Sequence, residues 1–144
     1  MIVVDVNVLV YAARREFDQH DVAHAWLTET MAGTESVVIS DEVLAATVRL
    51  LTNHKVLATP LGPDDALDFC QVLREAPAYV PGRSGPQRWA HLDRLVRELG
   101  LRGNDVPDAL LAATALDLNA TLATFDRGFR RFPGLAVLVP APSV

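Results

Sequence analysis

Apolar residues along this chain follow two rhythms. Short runs of β-branched and other apolar residues at 2–4, 37–39, 121–124 and 136–139 are each bounded by polar or turn-forming residues, the pattern of strands buried on both faces. Between them lie longer stretches, at 22–31, 43–51, 65–74, 87–99 and 108–118, where apolar positions recur at helical intervals. The order is β, α, α, β, several α, β and a final β. Such alternation predicts an α/β fold with a mostly parallel central sheet of about four to five strands and helices on both faces. In the last helix Leu111, Ala112, Ala115 and Leu116 form the apolar stripe, and Asn119-Ala120 turns the chain into the next strand. The Pro/Gly clusters at 59–63, 81–86 and 140–142 read as turns, so residues 1–144 are expected to form one domain.

Against this frame four acids fall at one edge of the expected sheet. Asp5 ends the first strand, Glu42 follows the second across Ser40-Asp41, and Asp126 follows the strand at 121–124. Asp108 opens the helix that leads back to that strand, and in a β-α-β unit such a helix begins at the same edge. The carboxyl edge of a parallel sheet is where open α/β folds bind ligands. Each acid alone has an ordinary explanation. Asp105-Val106-Pro107-Asp108 resembles a capping box, Ser40-Asp41-Glu42 a helix cap, Asp126-Arg127-Gly128 a turn, and Asp5 a cap for a helix after Val6. Independent caps have no reason to converge, whereas clustered carboxylates repel one another unless they share protons or hold cations. An all-oxygen ligand set points to a hard ion, Mg²⁺ or Mn²⁺.

Charge and cysteine content sharpen this only in part. A net charge of -5 argues against nucleic acid if charge is spread evenly, yet four of those acids sit at the expected metal edge. Among the 13 basic residues only Lys55 is lysine. Arg83, Arg88, Arg94, Arg97 and Arg102 fall in one stretch and Arg127, Arg130 and Arg131 in another, a composition suited to phosphate contacts as well as to a solvated helix face. The lone Cys70 permits no internal disulfide, and the apolar N-terminus carries Asp5 and no positive leader, so a cytoplasmic protein with no membrane span is expected. His20 and His24 share a helical spacing but lack a third ligand in the sequence nearby, and they are expected to face solvent. Tyr11, Trp26, Trp89 and His91 could stack on bases, though core packing is the commoner role of aromatics at helical spacing.

At these residues the sequence resembles a PIN domain, and more narrowly the VapC-type toxin ribonucleases of toxin-antitoxin pairs. MIVVDVNVLVYA resembles the family's first strand, with Asp5 as the first metal-binding acid and Asn7 as the polar residue two further on. SDEVLAATVRLLTN is similar to the helix that carries the second acid, here Glu42, and GNDVPDALLAATALDLNATLATFDRGFRRFPGL to the long C-terminal signature with Asp108 and Asp126. The resemblance implies a three-layer α/β/α fold and an Mg²⁺- or Mn²⁺-dependent endoribonuclease. It assigns catalysis and metal binding to Asp5, Glu42, Asp108 and Asp126, and support to Asn7 and the Thr124 hydroxyl. It allows Arg127, Arg130 and Arg131 to contact RNA. It also implies a homodimer and an antitoxin whose segment lies in a groove, for which the helices at 22–31 and 43–51 are candidates. The family often has an Asp two residues after the fourth acid; here that position is Gly128, and Asp105 could compensate.

Two other readings compete. A phosphotransfer protein using Asp5 as nucleophile would need a second Asp, where Asn7 stands, or a partner lysine, and Lys55 has no strand before it. A catalytically weak PIN-fold interaction module is favoured by Gly128 and opposed by the presence of all four acids.

Overall fold

Each apolar run yields a strand of three residues, fully buried at 2–4 and 37–39 and largely exposed at 136–138, and one further strand joins them at 79–81. They are Ile2–Val4 (β1), Val37–Ile39 (β2), Tyr79–Pro81 (β3), Thr121–Ala123 (β4) and Ala136–Leu138 (β5). The structure, a computed structural model, describes residues 1–82 and 85–143; Arg83 lies outside the described residues. Every strand pair is parallel, in the order β3-β2-β1-β4-β5, with Ile2 opposite Val37 on one side and Thr121 on the other. Strand β3 carries no legible pattern in the sequence. It is short, half-exposed and ends in a proline, which an edge strand tolerates because one side of its backbone needs no partner.

The helices are Val6–Ala13 (α1), His20–Ala32 (α2), Asp41–Leu51 (α3), Pro63–Arg74 (α4), Arg88–Leu99 (α5) and Asp105–Asp117 (α6), with a short 3-10 helix at Arg127–Arg131. They divide between the two faces of the sheet, as strand alternation requires. Ile2 and Val4 of β1 and Val37 and Ile39 of β2 pack with Leu9, Leu27, Leu44 and Leu73 from α1 to α4. Val3, Val38 and Leu122 point the other way, into Leu92 and Leu95 of α5, the alanines of α6, Phe129 and Phe132. The result is the expected three-layer α/β/α arrangement.

Two local expectations are corrected. The inner face of α6 is Ala109, Ala112, Ala113 and Ala115, all fully buried, while Leu111 and Leu116 are half-buried at its margins. Small side chains let α6 lie directly against β1 and β4. Asn104, not Asp105, is the residue before α6, and it makes no side-chain cap bond, so the proposed capping box does not form.

Chain order explains where a site can be. From β1 the chain moves outward to β2 and β3, then returns to β4 on the other side of β1. The direction of winding therefore reverses between β1 and β4, leaving a crevice at their carboxyl ends. Gly82, just after β3, closes the neighbouring edge: a Cβ there would sit 2.6 Å from the Ser40 Cβ, so only glycine lets this segment pass the cap of α3.

The two cores predict a clear contrast in stability. Leu95→Ala, which empties a fully buried position, should cost about 2–5 kcal/mol in urea denaturation. Leu67→Ala, at a position 55% exposed, should change it by less than about 0.5 kcal/mol.

Candidate active site

Asp5 follows β1 and caps α1, and both duties hold its carboxylate still. Its Oδ1 accepts from the Val6 amide at 2.7 Å, while Oδ2 accepts from the Thr124 hydroxyl at 2.7 Å and from Asn7 Nδ2 at 3.1 Å. The residue is only 7% exposed. Thr124, fully buried after β4, also accepts from the Asp126 amide at 3.0 Å, and Asn7 Oδ1 accepts from the Phe125 amide at 3.2 Å. Asn7 and Thr124 thus tie the ends of β1 and β4 together across the crevice. Burial raises the Asp5 pKa above the usual 3.8; the Thr124 and Val6 hydrogen bonds oppose this, and the charges of Asp108 and Asp126 add to it.

The other acids surround this centre on different elements. Glu42 is exposed in the first turn of α3, whose cap is the Ser40 hydroxyl accepting from the Val43 amide at 3.2 Å. Asp108 is half-buried in the first turn of α6, and Asp126, exposed, caps the 3-10 helix by accepting from the Gly128 amide at 2.8 Å. Asp5, Glu42 and Asp108 line one cleft of about 360 Å³. Asp108 is also pushed above 3.8, mainly by burial, with Asp126 and Asp105 adding to the rise and Arg131 opposing it. Capping and clustering coexist at Asp5, which caps α1 and lines the cleft, whereas Asp126 caps the 3-10 helix and is not among the residues that line it.

Arg131 is the cation of this cluster. Its guanidinium lies 3.5 Å from Asp108 and 3.3 Å from Asp105, bonds the Gly128 carbonyl at 2.9 Å and covers the Phe132 ring. Gly128 makes room for it, since a Cβ there would come within 2.9 Å of Arg131 Nη1 and of Asp126 Oδ1. Where the family often has a further acid, this chain has space filled by a guanidinium. Asp105 is thereby an Arg131 partner and no helix cap. Arg127 is exposed beside it, as is Arg130.

Among the described residues no three His, Cys, Asp or Glu side chains converge closely enough to enclose an ion as they stand. The fit of a hard divalent ion rests instead on donor chemistry: oxygen donors only, an anion fixed in the interior, and mutual repulsion that a cation would relieve. His20 and His24 do not contribute to this cleft. His20 is half-buried, where solvent exposure was expected, and its Nδ1 lies 2.9 Å from the Tyr11 carbonyl. Of the possible base-stacking residues, Tyr11 packs on Phe17 and Phe125, Trp26 is half-buried against the core and His91 is half-buried, whereas Trp89 is 73% exposed. Sequence reasoning missed Arg49 as a cleft residue. Its signal was the helical interval from Glu42, which puts both on one face of α3.

The site predicts two outcomes. Thr124→Val keeps the shape but removes the donor to Asp5 and the acceptor of the Asp126 amide, so it should destabilise by about 1–3 kcal/mol, with Thr124→Ser restoring most of the loss in thermal unfolding. Asp5 and Asp108 bind protons more readily folded than unfolded, so in EDTA stability should fall as pH rises from 3.8 through their raised values. Asp5→Asn and Asp108→Asn should each flatten that fall in denaturation measured across the acidic range.

A family model for the PIN domain matches residues 2–135. Ribonuclease VapC43 of Mycobacterium tuberculosis is 40% identical over 132 residues, covering 92% of this chain and 90% of that protein. Ribonuclease VapC25 of the same organism is 29% identical over 140 residues, covering 97% and 99%. Among solved structures, VapBC2 from Rickettsia felis bound to a promoter DNA fragment gives a TM-score of 0.69 at 22% identity, over 96% of this chain and 98% of that one. The M. tuberculosis VapC20 toxin, described as cleaving the sarcin-ricin loop, gives 0.65 at 18% identity over 90% and 93%. With the family signature spanning nearly its whole length and the sheet order and acid edge just described, this chain belongs to the PIN-domain family, among its VapC ribonucleases.

Proposed function

We propose that this chain, one PIN domain over residues 1–144, is an endoribonuclease acting as the toxin of a toxin-antitoxin pair. We further propose that it works through Mg²⁺ or Mn²⁺ held by Asp5, Glu42, Asp108 and Asp126. The observation that carries the reading is Asp5: a buried carboxylate at the sheet's switch point, fixed by three donors and repelled by two neighbouring acids. Such an arrangement opposes the ionised form unless a positive charge accompanies it. When bound, a divalent ion supplies Lewis-acid charge for a scissile phosphate and acidifies water for its hydrolysis. The chain's own part is placement. Asn7 and Thr124 hold the Asp5 carboxylate in one orientation, Arg131 restrains Asp108, Glu42 lines the cleft from α3, and Asp126 would have to leave its bond to the Gly128 amide to share an ion with them. Arg127 and Arg130 stand just beyond Asp126, where an RNA backbone entering the site would pass.

The relatives named as ribonucleases support RNA as the substrate, and the VapBC complexes support an antitoxin as the partner. An open apolar groove between α2 and α4, lined by Leu27, Met31, Phe69, Val72 and Leu73, is the surface we assign to the antitoxin segment, in place of the helix pair α2 and α3. A homodimer is proposed with it. No helix among the described residues is long and apolar enough to cross a membrane, and Cys70 is a buried free thiol, which suits the cytoplasm as the place of action. The phosphotransfer reading loses its partner lysine, because Lys55 is exposed between α3 and α4 and does not line the cleft.

Purified protein incubated with a mixed pool of structured RNAs should cut in Mg²⁺ or Mn²⁺ and not in EDTA. Asp5→Asn should lower the rate by at least about 100-fold, the effect of losing several kcal/mol of charge stabilisation. Metal-independent cutting, or equal cutting by the variant, would refute the assignment.

A further inference from the structure

The cleft continues away from the acids as a groove between α3 and α6. Glu42, Ala46 and Arg49 recur on α3 at i, i+4 and i+7, and Pro107, Leu111 and Thr114 do so on α6, so each helix turns one stripe toward the groove. Seven residues of helix rise about 10 Å, which sets Arg49 about that far from Glu42 along the axis. From the other side comes Arg88. Helix α5 packs along α6, and the Gln87 amide bonds Asp117 Oδ1 at 3.2 Å, so the first turn of α5 meets the last turn of α6. Arg88 therefore lines the groove at the end remote from Asp108.

Neither arginine is neutralised locally. Arg14, Arg74, Arg94, Arg97 and Arg131 form ion pairs; of the arginines that do not among the described residues, Arg49 and Arg88 are the two that line this cleft, and they pair with none of the three acids that line it too. Helix stability explains only one of them. Arg49 in the last turn of α3 suits the helix dipole, whereas Arg88 is the first residue of α5, the end where a cation is unfavourable. A groove with acids at one end and two unpaired guanidiniums at the other matches a substrate that is anionic at regular intervals. The floor between them, Val43, Ala46, Leu110 and Leu111, is apolar enough to take a sugar or base face.

We propose that Arg49 and Arg88 clamp a backbone phosphate of the RNA strand about 10 Å from the acid site, fixing which phosphate reaches Asp5. This rests on the ribonuclease reading and adds the path of the substrate to it. Planar guanidiniums on two different helices grip one phosphate from both sides, and they counter the repulsion that Asp5, Glu42 and Asp108 exert on an incoming polyanion.

The test is equilibrium binding in EDTA, where a metal-dependent enzyme does not cut, of a fluorescein-labelled single-stranded RNA of mixed sequence, followed by anisotropy across a salt series. Each phosphate contact on a single strand contributes a slope of about 0.7 in log affinity against log salt, equivalent to about fivefold at 0.1 M. The double variant Arg49→Gln/Arg88→Gln should weaken binding about fivefold and lower the slope by about 0.7, with each single variant losing part of both. Arg49→Lys and Arg88→Lys should keep the slope, and Arg15→Gln, at the far end of α1, should change neither quantity. Unaltered thermal unfolding would confirm that the variants are folded. If wild type binds RNA and the double Gln variant binds with the same affinity and slope, or if Arg15→Gln weakens binding equally, the clamp is wrong and the ribonuclease reading stands. If wild type takes up no RNA in EDTA, the clamp is wrong, and the ribonuclease reading fails with it only if the RNA pool also goes uncut in Mg²⁺ and Mn²⁺.

Discussion

A carboxylate removed from water at the end of β1 is the constraint around which this molecule is organised. Asp5 is nearly inaccessible, and desolvation alone would favour its neutral form. Its two oxygens are kept in place by the amide that starts α1, by Asn7, the second residue of that helix, and by Thr124 from the far side of the crevice. Those bonds require β1 and β4 to be adjacent and parallel, and the adjacency in turn requires the chain to return from β3 through α5 and α6. The alanine face of α6 is what permits that return, because bulkier residues at 109, 112, 113 and 115 would hold the helix off the sheet.

Much of this was legible in the sequence because burial on both faces leaves a strong mark. The runs at 2–4 and 37–39 read as buried strands, and both are, with β1 and β2 inside the sheet. The position of the acid edge followed from strand ends and helix starts, and Asp5, Glu42 and Asp108 do line one cleft. What was not legible depended on weaker or nonlocal signals. Strand β3 is three residues long and ends in proline, so it carries neither alternation nor an apolar run. The capping box at Asp105 looked complete locally, yet Arg131, 26 residues later, takes the Asp105 carboxylate instead. The apolar stripe of α6 was misplaced because leucines outrank alanines in hydrophobicity, while close helix-sheet contact selects for size.

The arginines divide into two kinds in the fold. Arg131 is committed to the acid cluster, wedged beside Gly128 and over Phe132, and it tempers the repulsion that Asp126 and Asp105 create at Asp108. Arg49 and Arg88 carry no such partner and stand where a strand of RNA would leave the cleft. A chain with a net charge of -5 can thus handle a polyanion if two of its unpaired cations stand in the groove that leads to the acids.

The central claim is that the Asp5 cluster exists to hold a divalent ion. Anomalous diffraction from crystals equilibrated with Mn²⁺ tests it directly, since the signal locates manganese without reference to activity. A peak in the crevice between Asp5 and Asp108, lost in Asp5→Asn, is the expected result. Absence of any peak there at saturating Mn²⁺, or a peak confined to His20 and His24, would contradict it.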